Sequence, residues 1–109
     1  MKRIEAEISA LQLHDVRERL HLIGIAGMTA SACSALRSRN EIYRGARATT
    51  APVERIRLDI VVTDDMVDSV VRAVVTVVRR DDGADGWISI APIHEVIRIS
   101  TGESGSDAL

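Results

Sequence analysis

The segment from Ile56 to Val62 constrains the fold of this chain more than any other, because it combines strand periodicity with a valine-rich continuation. Its apolar residues fall at every second position: Ile56, Leu58, Ile60 and Val62. A period of two places them on one face of a β-strand. The helix predicted to follow is rich in valine, whose helix propensity is poor, so packing on a sheet must stabilise it. Its predicted apolar positions are Val67, Val70, Val71, Val74 and Val78.

The other patterns extend this strand and helix into a full order of elements. Residues 3–8 alternate as a strand, and residues 13–23 carry a helical period that ends at Gly24. Residues 29–36 predict a weaker strand. Thr63 is the predicted N-cap of the second helix, with Asp64 and Asp65 near the positive end of its dipole. The segments WISIAPI and HEVIRIS complete the strands, and the tail TGESGSDAL is predicted to be polar and mobile.

Strand, helix, strand, long loop, strand, helix, strand is the order of two successive βαβ halves. It predicts an α+β, ferredoxin-like βαββαβ fold with an antiparallel four-stranded sheet and two helices on one side. The long loop, residues 37–52, lies between strands 2 and 3 of a single domain over residues 1–102, and residues 103–109 form the tail. The uncovered face of the sheet predicts self-association.

Several classes of function are disfavoured by composition. No apolar run approaches the roughly 20 residues of a membrane helix, and the charged start MKRIEAEIS is unlike a signal peptide, so we expect a cytoplasmic protein without membrane insertion. A net charge of -2 and only two aromatic residues, Tyr43 and Trp87, argue against nucleic-acid binding. Arginine supplies 13 of the 14 basic residues, which favours bidentate binding of carboxylate or phosphate.

Catalytic and metal-binding patterns are also missing from the sequence. No nucleophile elbow, paired buried carboxylates or cysteine–histidine pair predicts an enzyme or a catalytic cofactor. The single cysteine, Cys33, is interpreted as a small strand residue. His14, His21 and His94 share no metal-ligand spacing, and the acidic loop DDGADG lacks the 12-residue frame of a calcium site.

Seven motifs in order along the chain resemble the PII signal-transduction family. They read MKRIEA, LHDVRERL, GIAGMT, YRGA, VVTDDMVDSVV, DGADG and HEVIRISTGE. Members of that family are trimeric ferredoxin-like regulators that bind adenine nucleotides in clefts between subunits. The resemblance implies a homotrimer with a nucleotide site built from Gly27, Met28, Thr29, Arg37, Val61, Asp85, Gly86, Trp87 and Arg98.

The residue-level interpretation of this site leaves alternatives open. Thr29 is at the position that contacts adenine in the family, although threonine is also ordinary at the start of a strand. Asp85 and Gly86 could cradle a phosphate or form a solvated hairpin. Arg98 could bind phosphate or form a structural salt bridge. Trp87 could pack under the loop or stack on a ribose or base.

Departures from the family pattern predict weak recognition of a triphosphate. Trp87 stands in place of a lysine and Ser100 in place of a second arginine, while Asp81 and Asp82 add negative charge. Each lost charge-assisted hydrogen bond is worth about 1.5–3 kcal/mol. We therefore expect ADP or AMP to be favoured over ATP.

The resemblance also makes the long loop the surface that contacts a partner, either a transporter or a regulatory enzyme. The loop residues expected to bind this partner are Arg39, Tyr43, Arg44 and Arg47. Arg47 and Ala48 replace the glutamate and the modified tyrosine of the family, so uridylylation is not expected.

Sensing of 2-oxoglutarate through the usual contacts is not expected either. The loop base is about three residues shorter than usual, the only glutamine is Gln12, and Ser9 replaces a lysine, although Arg55 stands where another lysine would. Two alternatives stay open: a carbon-status sensor that pairs ADP or AMP with bicarbonate near inorganic-carbon uptake or carboxysome proteins, and a trimeric interaction module without a ligand.

Overall fold

A computed structural model describes residues 1–36, 42–43, 46–47, 52–80 and 86–109. Four strands form one sheet in the order β2-β5-β1-β6, and every neighbouring pair is antiparallel. The element order and this topology confirm the α+β, ferredoxin-like prediction. The elements are β1 (Lys2–Ile8), α1 (Leu13–Leu22), β2 (Thr29–Ala35), β3 (Ile42–Tyr43), β4 (Ala46–Arg47), β5 (Val53–Val62), α2 (Val67–Val78) and β6 (Ile88–Pro92).

The hydrophobic core lies between one face of the sheet and the two helices. In the register of β1 and β5, Ile4 lies opposite Ile60 and Ala6 lies opposite Leu58. Alternation in both strands therefore sends their apolar side chains to the helix side, as the sequence predicts. The fully buried side chains of the core include Ile4, Ile8, Val16, Leu20, Leu58, Ile60, Val70, Val74 and Val77.

The buried face of α2 differs in part from its prediction. Val70 and Val74 are buried as expected, but Ala73 and Val77 are the other two buried positions, while Val67, Val71 and Val78 are only partly buried. The spacing of 70, 73, 74 and 77 is the ordinary stripe of a helix that faces a core. In a helix where valine lies on most sides, residue type alone cannot select that stripe.

Ser9 and Gln12 fix the start of α1, which follows a 3₁₀ turn at Ala10–Gln12. The Ser9 amide donates to Gln12 Oε1 (3.4 Å), and Ser9 Oγ accepts from the Leu11 amide (3.3 Å). Gln12 is buried, and its Nε2 donates to the carbonyl of Val78 at the end of α2 (3.4 Å). The only glutamine of the chain therefore joins the two helices.

Thr63 precedes a 3₁₀ turn at Asp64–Met66 rather than the α-helix itself. Its side chain makes no capping hydrogen bond, and α2 begins at Val67. The predicted placement of Asp64 and Asp65 at the start of the helical segment is correct, whereas the predicted side-chain cap is wrong.

The prediction of a strand over HEVIRIS is wrong. β6 ends at Pro92, which has no N–H to donate to a ladder. Beyond it the chain turns back on itself, with an isolated bridge between Ile97 and Ser104 and a turn in which the Gly102 amide donates to the Arg98 carbonyl (2.8 Å). Gly102 has a φ of 75°, a conformation that glycine adopts without strain and that an extended strand would not contain.

The tail is also more ordered than predicted. Residues Gly105–Ala108 form a 3₁₀ helix, and Ala108 is only 7% exposed. Apolar contact of Ala108 with the domain therefore anchors a segment whose composition alone predicts mobility.

The other face of the sheet is largely polar. Arg3 donates to Asp59 Oδ1 from Nε (3.1 Å) and Nη2 (2.8 Å), and its Nη2 lies 2.8 Å from Glu5. On this face of β5, Val61 is partly buried and Arg57 is exposed, so the apolar alternation of the strand is confined to its helix side. Among the residues that the structure describes, no helix is long and apolar enough to cross a membrane.

Candidate functional site

A cavity of about 910 Å³ lies where the loop after α1 enters β2 beside the end of β5. Five residues that the sequence predicts to bind nucleotide line it: Gly27, Met28, Thr29, Val61 and Arg98. They come from three separate parts of the chain, and the fold brings them to one place. Its further lining residues are Ile23, Gly24, Ile25, Ala26, Asp59, Val62, Thr63, Met66, Ala108 and Leu109.

The end of α1 directs the chain into this cavity. Gly24 has a φ of 92°, its amide donates to the carbonyl of His21, and the Ile25 amide donates to the carbonyl of Leu20, both at 3.0 Å. This pair of bonds is a Schellman C-cap, in which glycine supplies the left-handed residue. The predicted helix stop at Gly24 is confirmed, and the chain after it forms one wall of the cavity.

Asp59 is a polar residue of the cavity that sequence reasoning missed. It lies directly opposite Thr29 in the register of β2 and β5, two residues before Val61 on the same face. Oδ1 accepts both bonds from Arg3, and these bonds, with the nearby carboxylate charges, raise the pKa of the Arg3 guanidinium. Residues two apart in a strand lie on the same face, so the spacing from the predicted site residue Val61 could have indicated that Asp59 lies beside it.

Arg98 is the one cationic side chain among the described residues that line the cavity. It lies in the turn after β6, exposed, and its Nη2 donates to the carbonyl of Leu109 (3.4 Å). Within the described part of the chain, Arg98 forms no ion pair apart from this contact with Leu109. Its remaining N–H donors are therefore available to an anionic group.

Gly86 and Trp87 lie at the opposite edge of the sheet from Thr29. The amide of Glu7 in β1 donates to the Trp87 carbonyl (3.3 Å), whereas Thr29 belongs to the far edge strand β2. Three strand spacings, at least about 14 Å, separate the two positions. Within a single chain, the two sets of residues line separate cavities.

The side chain of Trp87 is 66% exposed in the single chain. It lines a second cavity of about 350 Å³ together with Gly86 and valines of α2. The ring is therefore accessible at the rim of that cavity.

Arg55 is engaged by the chain itself. Its Nη2 donates to the Glu7 carbonyl (3.4 Å), and its Nε lies 3.4 Å from the Glu7 carboxylate, with 13% and 15% of the two side chains exposed. Glu7 therefore neutralises the one arginine that the resemblance places at a position of lysine in the family.

The remaining predicted residues lie in the long loops. Arg37, Arg39, Arg44 and Asp85 are outside the described residues. Tyr43 and Arg47 lie on the short strands β3 and β4, where Tyr43 pairs with Ala46 and Ile42 pairs with Arg47.

Comparison with known proteins gives a consistent result. The family model "Nitrogen regulatory protein P-II" matches residues 1–103. Proteins named nitrogen regulatory protein P-II from Cereibacter sphaeroides, Azospirillum brasilense and Pasteurella multocida are 37%, 34% and 38% identical to the chain, each over the full length of both sequences. The chain therefore belongs to the nitrogen regulatory protein P-II family of non-enzymatic signal-transduction regulators.

Proposed function

We propose that this protein is a cytoplasmic, homotrimeric regulator that binds an adenine nucleotide in the 910 Å³ cavity, favours ADP or AMP over ATP, and controls a transporter or regulatory enzyme through residues 37–52. Binding of adenine nucleotides and control of partner proteins are general properties of the family. The observation that carries the proposal is the convergence of Gly27, Met28, Thr29, Val61 and Arg98 on one cavity.

The chemistry of the cavity suits a nucleotide. Its volume falls in the range of about 300–1,000 Å³ that small-molecule sites occupy. Met28 and Val61 offer apolar surface to a base, while the Thr29 hydroxyl and the Asp59 carboxylate lie opposite each other as acceptors for its amino group. Arg98 supplies a positive charge to a phosphate.

The preference for short phosphate chains follows from the count of cations. Arg98 is the only cation among the described lining residues, and Ser100 and Trp87 stand where the family carries further positive charge. A second and third phosphate therefore add negative charge without adding matched donors. This count of cations does not include residues 37–41 and 81–85, which are outside the described residues.

The separation of Gly86 and Trp87 from Thr29 supports a site shared between subunits. In a trimer like those of the family, one copy of the chain would supply Thr29 and a neighbouring copy would supply Gly86 and Trp87 to the same nucleotide. The polar, ion-paired face of the sheet is compatible with a trimer interior that holds charges in pairs.

Isothermal titration calorimetry with AMP, ADP and ATP, each with and without 2-oxoglutarate or bicarbonate, tests this function, with light scattering to give the oligomeric state. We expect ADP or AMP to bind at least as tightly as ATP, and no effect of 2-oxoglutarate, because Glu7 occupies Arg55. Synergy with bicarbonate would support the carbon-status alternative. No binding of any nucleotide would contradict the proposal and leave the ligand-free interaction module.

A substitution tests the phosphate contact directly. Arg98→Ala should weaken ADP binding about 10-fold or more, the effect of losing a charge-assisted hydrogen bond of about 1.5–3 kcal/mol. Arg17→Ala, which removes an exposed arginine of α1 that is not among the lining residues of the cavity, is the matched control. Equal ADP affinity of the Arg98 variant and the wild type would show that Arg98 is not the phosphate ligand.

A further inference from the structure

A groove of about 270 Å³ lies between the two helices and is here called the helix groove. Arg19 and Leu22 of the last turns of α1 and Arg72 and Ala73 of the middle of α2 line it. Arg19, Leu22 and Arg72 are exposed, whereas Ala73 is only 8% exposed and forms the floor. The groove is therefore a surface site with an apolar floor and an arginine on each helix.

The charge of the helix groove is positive, although the whole chain has a net charge of -2. No carboxylate is among the described residues that line it, and neither guanidinium takes part in an ion pair within the described part of the chain. Asp15 and Asp68 lie one turn before the two arginines on the same helices, but exposed pairs at this spacing are weak even where they form. The groove thus offers two guanidinium groups to an acid from outside.

The surface between these charges is apolar and unsuited to a small anion. Leu22 is 79% exposed, and the partly buried Ile23 continues the apolar lining beside it. The Thr76 hydroxyl, which also lines the groove, already donates to the Arg72 carbonyl of its own helix (2.7 Å). A bound phosphate would use the arginines and leave the apolar surface in water. A ligand that matches both features carries carboxylates and apolar side chains together, as an amphipathic protein segment does.

The helix groove is separate from the surfaces that the proposed function uses. The helices cover one face of the sheet, and the ion-paired face of Arg3 and Asp59, on the other side, is the one compatible with a trimer interior. The groove would therefore stay accessible on the outside of that trimer. None of its described lining residues belongs to the long loop, residues 37–52.

We propose that the helix groove is a second docking surface, which takes an acidic, amphipathic segment of a partner protein. Two carboxylates of the segment pair with Arg19 and Arg72, and apolar side chains between them pack on Leu22 and Ala73. Guanidinium groups bind carboxylates bidentately, and arginine is enriched among the residues that dominate binding at protein interfaces. Docking here does not require a bound nucleotide, so this proposal can fail without affecting the nucleotide site, and the reverse.

Fluorescence anisotropy with a defined peptide tests this surface on the full chain. The probe is a capped helical peptide with glutamates and leucines on one face, tagged with an uncharged fluorophore. We expect saturable binding that weakens as salt is raised, and much weaker binding of the same peptide with glutamine in place of glutamate. The double variant Arg19→Gln/Arg72→Gln should lose about 10-fold or more in affinity, and Leu22→Gln should also bind more weakly. The matched control Arg17→Gln/Arg80→Gln removes two other exposed arginines and should stay within about 2-fold of the wild type.

Four results would overturn the inference. They are no saturable binding of the peptide, equal losses in the two double variants, and displacement of the peptide by inorganic phosphate at an ionic strength where chloride has no effect, which would indicate a small-anion site. The fourth is a lower molar mass of Arg19→Gln/Arg72→Gln in light scattering, which would make the groove a contact between copies of this chain. Calorimetry of the same double variant with ADP should give the wild-type affinity, because neither arginine lines the nucleotide cavity.

Discussion

Gly86 lies just before β6 and passes close to the central strand β1. The substitution Gly86→Ala tests this close approach. A Cβ added at Gly86 would lie 2.6 Å from the Glu7 carbonyl oxygen and 3.1 Å from Arg55 Nη2. The bond from the Glu7 amide to the Trp87 carbonyl brings the two segments together. The Glu7 oxygen is a backbone atom of a strand paired on both sides, so it cannot move away without disturbing its ladders.

The expected cost is set by overpacking, which typically destabilises a protein by 1–3 kcal/mol, so we expect a loss of about 2 kcal/mol in the free energy of unfolding. Urea denaturation at one fixed protein concentration, without nucleotide, measures it. Gly27→Ala is the matched control, because its added Cβ meets nothing within 4 Å. That variant should stay within about 1 kcal/mol of the wild type.

Equal stability of Gly86→Ala and Gly27→Ala would refute the reasoning, since it would mean that the loop and β1 are not held at this distance in solution. A change in the denaturant slope together with the midpoint would indicate a different compactness of one of the states. Only a lower midpoint at constant slope agrees with the predicted steric clash.

Three further predictions concern the core, the helix cap and the charged face. Leu58→Ala removes a fully buried side chain opposite Ala6, so it should cost about 2–5 kcal/mol in chemical denaturation, and a loss below about 1 kcal/mol would contradict the burial. Gln12→Leu removes the bond to the Val78 carbonyl and the bond to the Ser9 amide, so the midpoint should fall by the equivalent of about 1–2 kcal/mol; an unchanged midpoint would show that neither bond contributes. Arg3→Gln breaks a partly exposed pair with Asp59 and should lower the denaturation midpoint only slightly, with a larger loss at low salt than at high salt; a salt-independent effect would count against an electrostatic origin.

Periodicity and terminal residues within a single segment predicted individual strands and helix ends. The alternation of β5 and the glycine at the end of α1 each act through near neighbours, so residue order alone identifies them. The residues of the proposed nucleotide site came from motifs that resemble a family, and the fold places five of them together in one cavity. Asp59 was missed because a carboxylate in a strand shows its role only when its neighbours across the sheet are known.

Other features depend on contacts that the sequence does not display. The segment HEVIRIS is rich in residues that are common in strands. However, strand pairing ends at Pro92, and the Gly102 amide closes a turn by donating to the Arg98 carbonyl. The sequence also does not display the close passage of Gly86 along β1, which only the pairing of strands creates.

The sequence by itself determined the order of strands and helices and the family, because periodicity and motifs are carried by the residues themselves. Only the tertiary structure decided which stripe of α2 is buried, that Glu7 neutralises Arg55, and that Ala108 and Leu109 line the cavity. These outcomes depend on pairs of residues that are distant in sequence, and their energies arise only when the sheet and helices bring the two partners into contact.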